Sequence, residues 1–180
     1  GRLQRLWHSS EGGLYFTVVC RLHLPPRQSS KISFAASLCL AKTFRESFGI
    51  AADVKWPNDI LVRGRKLCGM LSEMEADDDL LSFVNIGMGI NINNTPSLEE
   101  PKAVSAKEIL NKELSRKEVL SEFLNRFESY LFTMNPDAVI AEWKKYTVTI
   151  GQRVRIVTIH EEFEGLASDV DDDGSLILQT

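Results

Sequence analysis

The chain has 180 residues, of which 43% are hydrophobic and 26% are charged, and its formal net charge is −4. This composition is close to that of an average soluble globular protein, and the length allows one sizeable domain or one domain and a small second one. No apolar run approaches the ~20 residues of a transmembrane helix, and no signal peptide is visible. The acidic balance argues against a nonspecific nucleic-acid-binding face, which would be basic.

The cysteines and histidines predict neither a disulfide framework nor a metal centre. Cys20, Cys39 and Cys68 each lie in an apolar setting, and no two of them have metal-ligand spacing. We therefore expect three small core residues in a protein from a reducing compartment. The three histidines are isolated in the chain, whereas zinc needs three or four convergent ligands.

The first half of the chain predicts a sheet and one long helix. Ser29 or Ser30 can cap a helix that runs to about Phe48, with Gly49 at the position after its end. Apolar residues lie nearly all round this helix, which indicates packing against a sheet. The predicted strands are residues 14–22, 53–56, 60–62, 66–75 and 80–91. The aspartates at 77–79 predict a hairpin tip rather than a metal site, because side chains of an extended chain alternate between faces.

The second half predicts three helices and then a small β module. Residues 93–101 read as a loop, Ser105 begins a short helix, and a capping box at 115–118 opens a helix to about residue 134. The Asn-Pro pair at 135–136 predicts the start of a third helix. Residues 147–180 contain no helical pattern and predict short strands, with a turn at residues 171–174.

These elements predict an α/β (α+β) fold in two parts. A mixed β-sheet packed with helices occupies residues 1–146, and a small SH3-like β-barrel domain occupies residues 147–180. The second part ends at Thr180 without an evident closing element, so we expect it to be incomplete.

Two polar segments carry weak signals when each is taken alone. Arg2 and Trp7 precede a glycine turn, and arginines near a turn are usually solvated. In the segment Lys55–Asp59 an Asn-Asp pair would ordinarily mark a turn, but here it separates two apolar extended pieces. At such a strand exit Asn58 and Asp59 could hold a hydrated Mg²⁺ through oxygen.

Two further segments lie on predicted strands. Lys66 follows a turn and enters an apolar strand, where it is either a strand-edge lysine facing water or a lysine pointing into a pocket. Gly69 in the same strand favours the close approach of a ligand or another backbone. Gly87 and Gly89 leave one face of the next strand bare, which is costly unless something lies on it. These glycines are not a dinucleotide fingerprint, because no third glycine follows and no helix opens there.

Taken together and in this order, the segments are specific. Lys-Trp-Pro-Asn-Asp at 55–59, Arg-Lys-Leu-Cys-Gly-Met-Leu at 65–71 and Gly-Met-Gly-Ile-Asn-Ile-Asn at 87–93 resemble the biotin–protein ligase family. The resemblance covers essentially the whole chain, although residues 94–142 match only in character. It implies a biotin/lipoate ligase-like catalytic domain that uses ATP to form biotinyl-5′-AMP and transfers biotin to a lysine of a biotin carboxyl carrier domain.

The resemblance also implies roles for individual residues. Lys66 is expected beside the biotin carboxylate and the α-phosphate, and Arg2 in a loop that folds over biotin and the adenylate; these two are the expected catalytic residues. Asn58 and Asp59 are expected near the triphosphate and its Mg²⁺. The implied biotin contacts are Arg2, Lys66, Gly69, Leu71, Gly87 and Gly89, and the implied ATP contacts are Asn58, Asp59, Asn91 and Trp7. A carboxylate that attacks a triphosphate needs positive charge where the two anions meet, and Lys66 and Arg2 would supply it.

The resemblance further implies the partners: biotin, ATP, Mg²⁺ and the carrier domain of a carboxylase, with no membrane and no nucleic acid for this segment. A cytoplasmic location and a homodimer are also expected. The family's upstream biotin contacts precede Gly1, so we expect a catalytic domain that lacks its N-terminal part. In the family's arginine loop, Gln4 replaces a glycine.

Two alternatives remain open at this point. One is a lipoate–protein ligase of the same architecture, which a binding test with each acid would separate. The other is a non-catalytic biotin- or partner-binding fragment or homologue, which would show no ATP–pyrophosphate exchange.

Overall fold

The fold is that of a computed structural model, which describes residues 9–22, 24–77, 79–96, 103–133, 135–158 and 160–180. Its strands are β1 (Leu14–Cys20), β2 (Ala52–Lys55), β3 (Asp59–Val62), β4 (Arg65–Asp77), β5 (Leu80–Ile90), β6 (Arg153–Val157), β7 (Glu162–Val170) and β8 (Leu176–Gln179). Its helices are α1 (Ser29–Phe48), α2 (Ala106–Leu110), α3 (Arg116–Thr133) and α4 (Val139–Lys144). All five strands predicted in the first half are present, with ends shifted by at most two residues.

The main sheet is antiparallel throughout and has the strand order β1-β5-β4-β3-β2. One face carries alternate apolar residues that pack against α1, and Ile60, Cys68, Ile86, Met88 and Ile90 on this face are buried. Helix α1 is the centre of this core, because it also contacts α3 and α4 on its outer side. The near-complete apolar surface of α1 is thus explained by burial on several sides.

Both ends of α1 show how local sequence sets its length. A short 3-10 turn (Pro26–Gln28) leads directly into the helix, and no side chain caps its first residue. The predicted serine cap is therefore wrong, because the N–H of Ser29 already bonds to Pro26 O across this turn. At the other end Gly49 has φ 67°, the left-handed conformation that glycine adopts without strain.

Two of the three later helices begin at the capping serine that the sequence predicts. Ser105 Oγ accepts from the Glu108 N–H before α2, and Ser115 Oγ accepts from the Glu118 N–H before α3. The Asn-Pro pair at 135–136 instead forms a turn in which Asn135 Oδ1 accepts from the Asp137 N–H. This turn satisfies the first free amide locally, so regular helix begins only at Val139.

Beyond α4 the chain forms a three-stranded antiparallel sheet in the order β6-β7-β8. The predicted aspartate-rich turn joins β7 to β8, and Gly174 in it has φ 87°. The residues that precede this sheet bind the edge of the main sheet, because Val54 of β2 forms main-chain hydrogen bonds with Tyr146 and Val148. The division of the chain between residues 146 and 147 stays a prediction.

Within the part of the chain that the structure describes, no helix is long and apolar enough to cross a membrane.

We expect Ser37→Ala to lower the free energy of unfolding by about 1–3 kcal/mol, the cost of an unsatisfied buried donor. Ser37 Oγ accepts from Trp143 Nε1 at 3.1 Å, and both side chains are buried. Urea denaturation measures the change. Ser47→Ala is the matched control, since Ser47 lies on the same helix but is exposed and bonds to Glu122. Equal losses in the two variants would contradict a specific role for the buried bond.

Candidate functional site

Three glycines lie on the face of the main sheet opposite α1. Gly69 of β4 pairs directly with Gly89 of β5, which pairs with Tyr15 of β1. Two residues along the strands, Leu71 of β4 pairs with Gly87 of β5. Cross-strand partners share a face, and so do residues two apart, so the three glycines form one strip. We call the face that carries Gly69, Gly87 and Gly89 the glycine face.

A β-bulge brings Lys66 onto this face. Leu61 of β3 pairs with Lys66 and Ile60 pairs with Cys68, so one residue of β4 is extra. With strict alternation Lys66 would share the core face of Cys68, two residues on. The extra residue resets the alternation, so that Leu67 is fully buried and Lys66 lies on the glycine face. The bulge therefore decides which way this lysine points.

The Lys66 side chain lies over Gly69 and forms an ion pair with Asp59. Its Nζ is 3.2 Å from Asp59 Oδ1, and about a third of the lysine side chain remains exposed. A Cβ atom at Gly69 would come within 2.9 Å of Lys66 Cε and 3.0 Å of its Nζ. The glycine thus makes room for the ammonium group, which is held by one carboxylate and still accessible to a second anion.

A cavity of about 370 Å³ adjoins the glycine strip. It is lined by Tyr15, Phe16, Thr17, Leu71, Gly87 and Met88. The lining is mostly apolar, and Thr17 of β1 is a polar residue in it. Such a cavity suits an apolar body of small-molecule size with a few polar groups.

Asn91 follows β5 and is fixed beside Lys66 by main-chain bonds. Its N–H donates to Leu67 O at 2.9 Å, and its Nδ2 lies 3.5 Å from Lys66 O. Asn94 Nδ2 donates to Asn91 Oδ1 at 2.9 Å. The amide of Asn91 is therefore oriented by Asn94, and both residues belong to the chain that leaves the glycine face.

The side chains of Asn58 and Asp59 bind different partners. Asp59 faces Lys66, whereas Asn58 Nδ2 donates to Met70 O, and the Met70 N–H donates to Asn58 O at 3.2 Å. Asn58 also lines a separate cavity of about 260 Å³ beside the first turn of α1. Among the residues that the structure describes, no group of three or more His, Cys, Asp and Glu residues is placed to hold a metal ion.

Cys68 lies directly beneath this site on the core face and does not take part in it. Burial raises the pKa of its thiol far above the usual value, and the Asp59 carboxylate acts in the same direction. The thiol therefore stays protonated at neutral pH and is neither a nucleophile nor a metal ligand. All three cysteines are buried and free, as the sequence predicted.

The structure thus brings together Lys66, Asp59, Gly69, Gly87, Gly89, Leu71 and Asn91. Arg2 and Trp7 lie outside the described residues. The sequence interpretation did not include Tyr15, Thr17 or Asn94. The first two are alternate residues of an ordinary edge strand, and only their pairing with the glycines reveals them.

We expect Gly69→Ala and Gly87→Ala both to fold, with different effects on Lys66. A Cβ at Gly87 would meet Leu71 O at 3.7 Å and Thr17 Oγ1 at 3.8 Å, which is ordinary contact, whereas a Cβ at Gly69 displaces the lysine. Urea denaturation should show both within about 1 kcal/mol of the parent chain or above it, since alanine suits a strand better than glycine.

The rate at which an amine-acylating reagent modifies Lys66, followed by peptide mass spectrometry, should rise in Gly69→Ala alone. The reason is that the displaced ammonium group is no longer held against Asp59. A rise of equal size in both variants would contradict this geometry.

Comparison with known proteins gives one consistent family. Residues 1–91 match the Biotin/lipoate A/B protein ligase family, and residues 149–180 match the biotin protein ligase C-terminal domain. Bifunctional ligase/repressor BirA of Bacillus subtilis is 34% identical over 189 residues, covering 100% of this chain and 58% of the relative. The biotin–[acetyl-CoA-carboxylase] ligase of Mycobacterium tuberculosis is 33% identical over 129 residues, covering 69% of this chain and 46% of the relative.

Solved structures of biotin protein ligases have a fold similar to that of this chain. Biotin protein ligase from Aquifex aeolicus, in complex with biotin and ATP, has a TM-score of 0.81 at 26% identity and covers 100% of this chain and 77% of its own. A biotin protein ligase from Leishmania major has a TM-score of 0.68 at 21% identity, which supports the fold alone. The chain spans 58% of the length of the Bacillus relative. With half of its residues matched and its terminal sheet matched separately, the chain belongs to the Biotin/lipoate A/B protein ligase family.

Proposed function

We propose that this chain carries the catalytic site of a biotin–protein ligase. In the first step ATP and biotin give biotinyl-5′-AMP and pyrophosphate, and in the second step biotin passes to a lysine of a biotin carboxyl carrier domain. Lipoate ligases belong to the same family. The three segments at 55–59, 65–71 and 87–93 favour biotin as the acid.

The observation that carries the proposal is the position of the Lys66 ammonium. It lies over Gly69, on a bare strip of sheet, with one carboxylate partner and a third of its side chain exposed. A cation placed over a glycine strip with apolar walls suits a ligand that has an apolar body and an anionic end. Biotin has this form, and its carboxylate is the group that reacts.

In the first step a carboxylate oxygen of biotin attacks the α-phosphorus of ATP. The new bond joins this oxygen to phosphorus, and the bond from the α-phosphorus to the pyrophosphate oxygen breaks. Lys66 would lie between the two anions, where its charge offsets their repulsion and the negative charge that develops in the transition state. No covalent bond to the protein is required, so positioning and charge are its main contributions.

The biotin body would lie along the glycine face. Gly69, Gly87 and Gly89 leave room for it against the strand backbones, and Leu71 with its neighbours in the 370 Å³ cavity supplies apolar contact. A side chain at Gly87 would project into that cavity. The nearest described atoms to its Cβ would be Leu71 O at 3.7 Å and Thr17 Oγ1 at 3.8 Å.

The nucleotide would contact Asn91 and Asp59, and Asn58 would take part through its oxygen, since its amide nitrogen is engaged with Met70. Mg²⁺ is usually held by one or two protein oxygens together with the substrate phosphates, and the Asp59 carboxylate meets that need. When bound, the ion neutralises phosphate charge. We assign Arg2 and Trp7 to a loop that covers biotin and ATP, on the grounds of their sequence motif.

In the second step the amine of a carrier lysine would attack the carboxyl carbon of the adenylate, and AMP would leave. The carrier domain is therefore the proposed protein partner. A homodimer and a cytoplasmic location are part of the same proposal. Among the described residues strand β1 lies at one edge of the main sheet, where two copies could pair.

We expect Lys66→Ala to lower the rate of biotin-dependent ATP–pyrophosphate exchange by about a hundredfold or more, the range seen when one preorganised charge-stabilising group is removed. Lys117→Ala is the matched control, because Lys117 is an exposed lysine on α3. Exchange is measured with radiolabelled pyrophosphate, with and without biotin. Absence of exchange in this chain and in a version that includes upstream sequence would refute the ligase and favour a binding module.

We expect Gly87→Ala to raise the dissociation constant for biotin by about tenfold or more, since even one methyl group that overfills a packed site costs about 1–3 kcal/mol. Isothermal titration calorimetry with biotin and with lipoate measures it. Unchanged biotin affinity in a stably folded Gly87→Ala would place the acid elsewhere. Stronger binding of lipoate than of biotin to the parent chain would select the lipoate ligase.

A further inference from the structure

The short strand β2 is held on its outer side by residues that follow α4. The Val54 N–H donates to Tyr146 O, and the Val148 N–H donates to Val54 O, both at 3.0 Å. The Trp56 N–H then donates to Thr149 Oγ1 at 2.9 Å. Three hydrogen bonds therefore link residues 54–56 to residues 146–149.

The turn between β7 and β8 contacts the same segment from a second direction. Trp56 Nε1 donates to Gly174 O at 2.9 Å, and Ser30 Oγ of α1 donates to Asp173 O at 2.9 Å. Gly174 lies against the ring of Phe34, since a Cβ there would come within 2.6 Å of Phe34 Cε2. The turn is thus seated between α1 and the Trp56 indole, and its close approach depends on a glycine.

The contacted segment leads directly to the charged pair of the site. Asp59 follows Trp56 by three residues, pairs with Lys55 across β2 and β3, and holds Lys66 at 3.2 Å. Strand β2 has four residues, and in the main sheet it pairs with β3 alone. So short an edge strand has little rigidity of its own, and the bonds to residues 146–149 and 174 restrict it.

We infer that Trp56 is a positioning residue through which the β7–β8 turn and residues 146–149 set the place of Asp59, and through it of Lys66, for adenylate formation. This inference rests on the proposed function of the site. It gives the terminal three-stranded sheet a role in the first chemical step, separate from any contact with the carrier domain. The glycine strip on β4 and β5 does not depend on these bonds and still holds the biotin body, so we expect the catalytic rate to change more than biotin affinity.

The test uses four variants of the whole chain. Trp56→Phe keeps an aromatic ring but removes the Nε1–H donor, and Thr149→Val removes the acceptor for the Trp56 N–H while keeping the branched shape. Gly174→Ala adds a methyl group against Phe34 at a residue with φ 87°. Gly151→Ala is its control, because Gly151 has φ 84° in the same part of the chain but nothing within 4 Å of the added Cβ.

Each variant is compared with the parent chain in three measurements: kcat of biotin-dependent ATP–pyrophosphate exchange, the dissociation constant for biotin, and the rate of Lys66 acylation. We expect kcat to fall on the order of tenfold in Trp56→Phe, Thr149→Val and Gly174→Ala, since small displacements of positioned groups have effects of this size or larger. The dissociation constant for biotin should rise by a smaller factor than kcat falls, because the glycine strip still holds the biotin body. Lys66 acylation should become faster in these three variants and not in Gly151→Ala.

Any of three results overturns the inference. The first is unchanged kcat and unchanged Lys66 acylation in Trp56→Phe and Thr149→Val. The second is a loss of biotin affinity as large as the fall in kcat, and the third is equal effects in Gly174→Ala and Gly151→Ala. Either of the last two would indicate a general structural role. Absence of exchange both in the parent chain and in the version with upstream sequence would count against the proposed function alone, because Lys66 acylation still decides whether the turn positions the lysine.

Discussion

The site depends on one irregularity in strand pairing, the β-bulge between β3 and β4. The extra residue buries Leu67 in the core and turns Lys66 to the opposite face, where Asp59 holds its ammonium at 3.2 Å. Without it the lysine would face α1, where a charged group without a partner is costly. The bulge is fixed from both sides, since Val104 donates to Lys66 O and Asn91 to Leu67 O. The backbone therefore sets the direction of the side chain that we propose as catalytic, and bulges are common near active sites.

The glycine face has a structural cost that the rest of the sheet offsets. Glycine in a strand is less favourable than alanine by about 0.5–1 kcal/mol, and three of them occur on two adjacent strands. On the opposite face the same strands carry Cys68, Met88 and Ile90, which are nearly or fully buried against α1. Burial of such side chains contributes about 1.5–3 kcal/mol each. One face of the sheet can carry glycines at the proposed ligand site because the other face supplies the stability.

Polar and charged side chains outside the site hold α4 and the following residue Tyr146 against α1 and α3. Lys42 and Tyr130 donate to the Glu142 carboxylate, and these bonds hold the pKa of Glu142 below its usual value although burial opposes them. This contribution to stability is present at neutral pH and is lost as the pH falls through that lowered pKa. Lys42 and Arg45 also lie 5.7 and 5.3 Å from the ring centroid of Tyr146, where the chain reaches β2.

The sequence by itself determined the family, the five strands of the main sheet, the core helix and the motif residues Lys66, Asp59 and Gly87, because these follow from local patterns. Local patterns placed the serine cap of α1 and the start of α4 wrongly, since neighbouring turns satisfied those amides first. They also could not show that Asn58 turns to Met70 while Asp59 turns to Lys66. Only the tertiary structure decided the direction of Lys66, the share of Tyr15 and Thr17 in the site, and the contact of Trp56 with Gly174, because each depends on pairing between residues far apart in the chain.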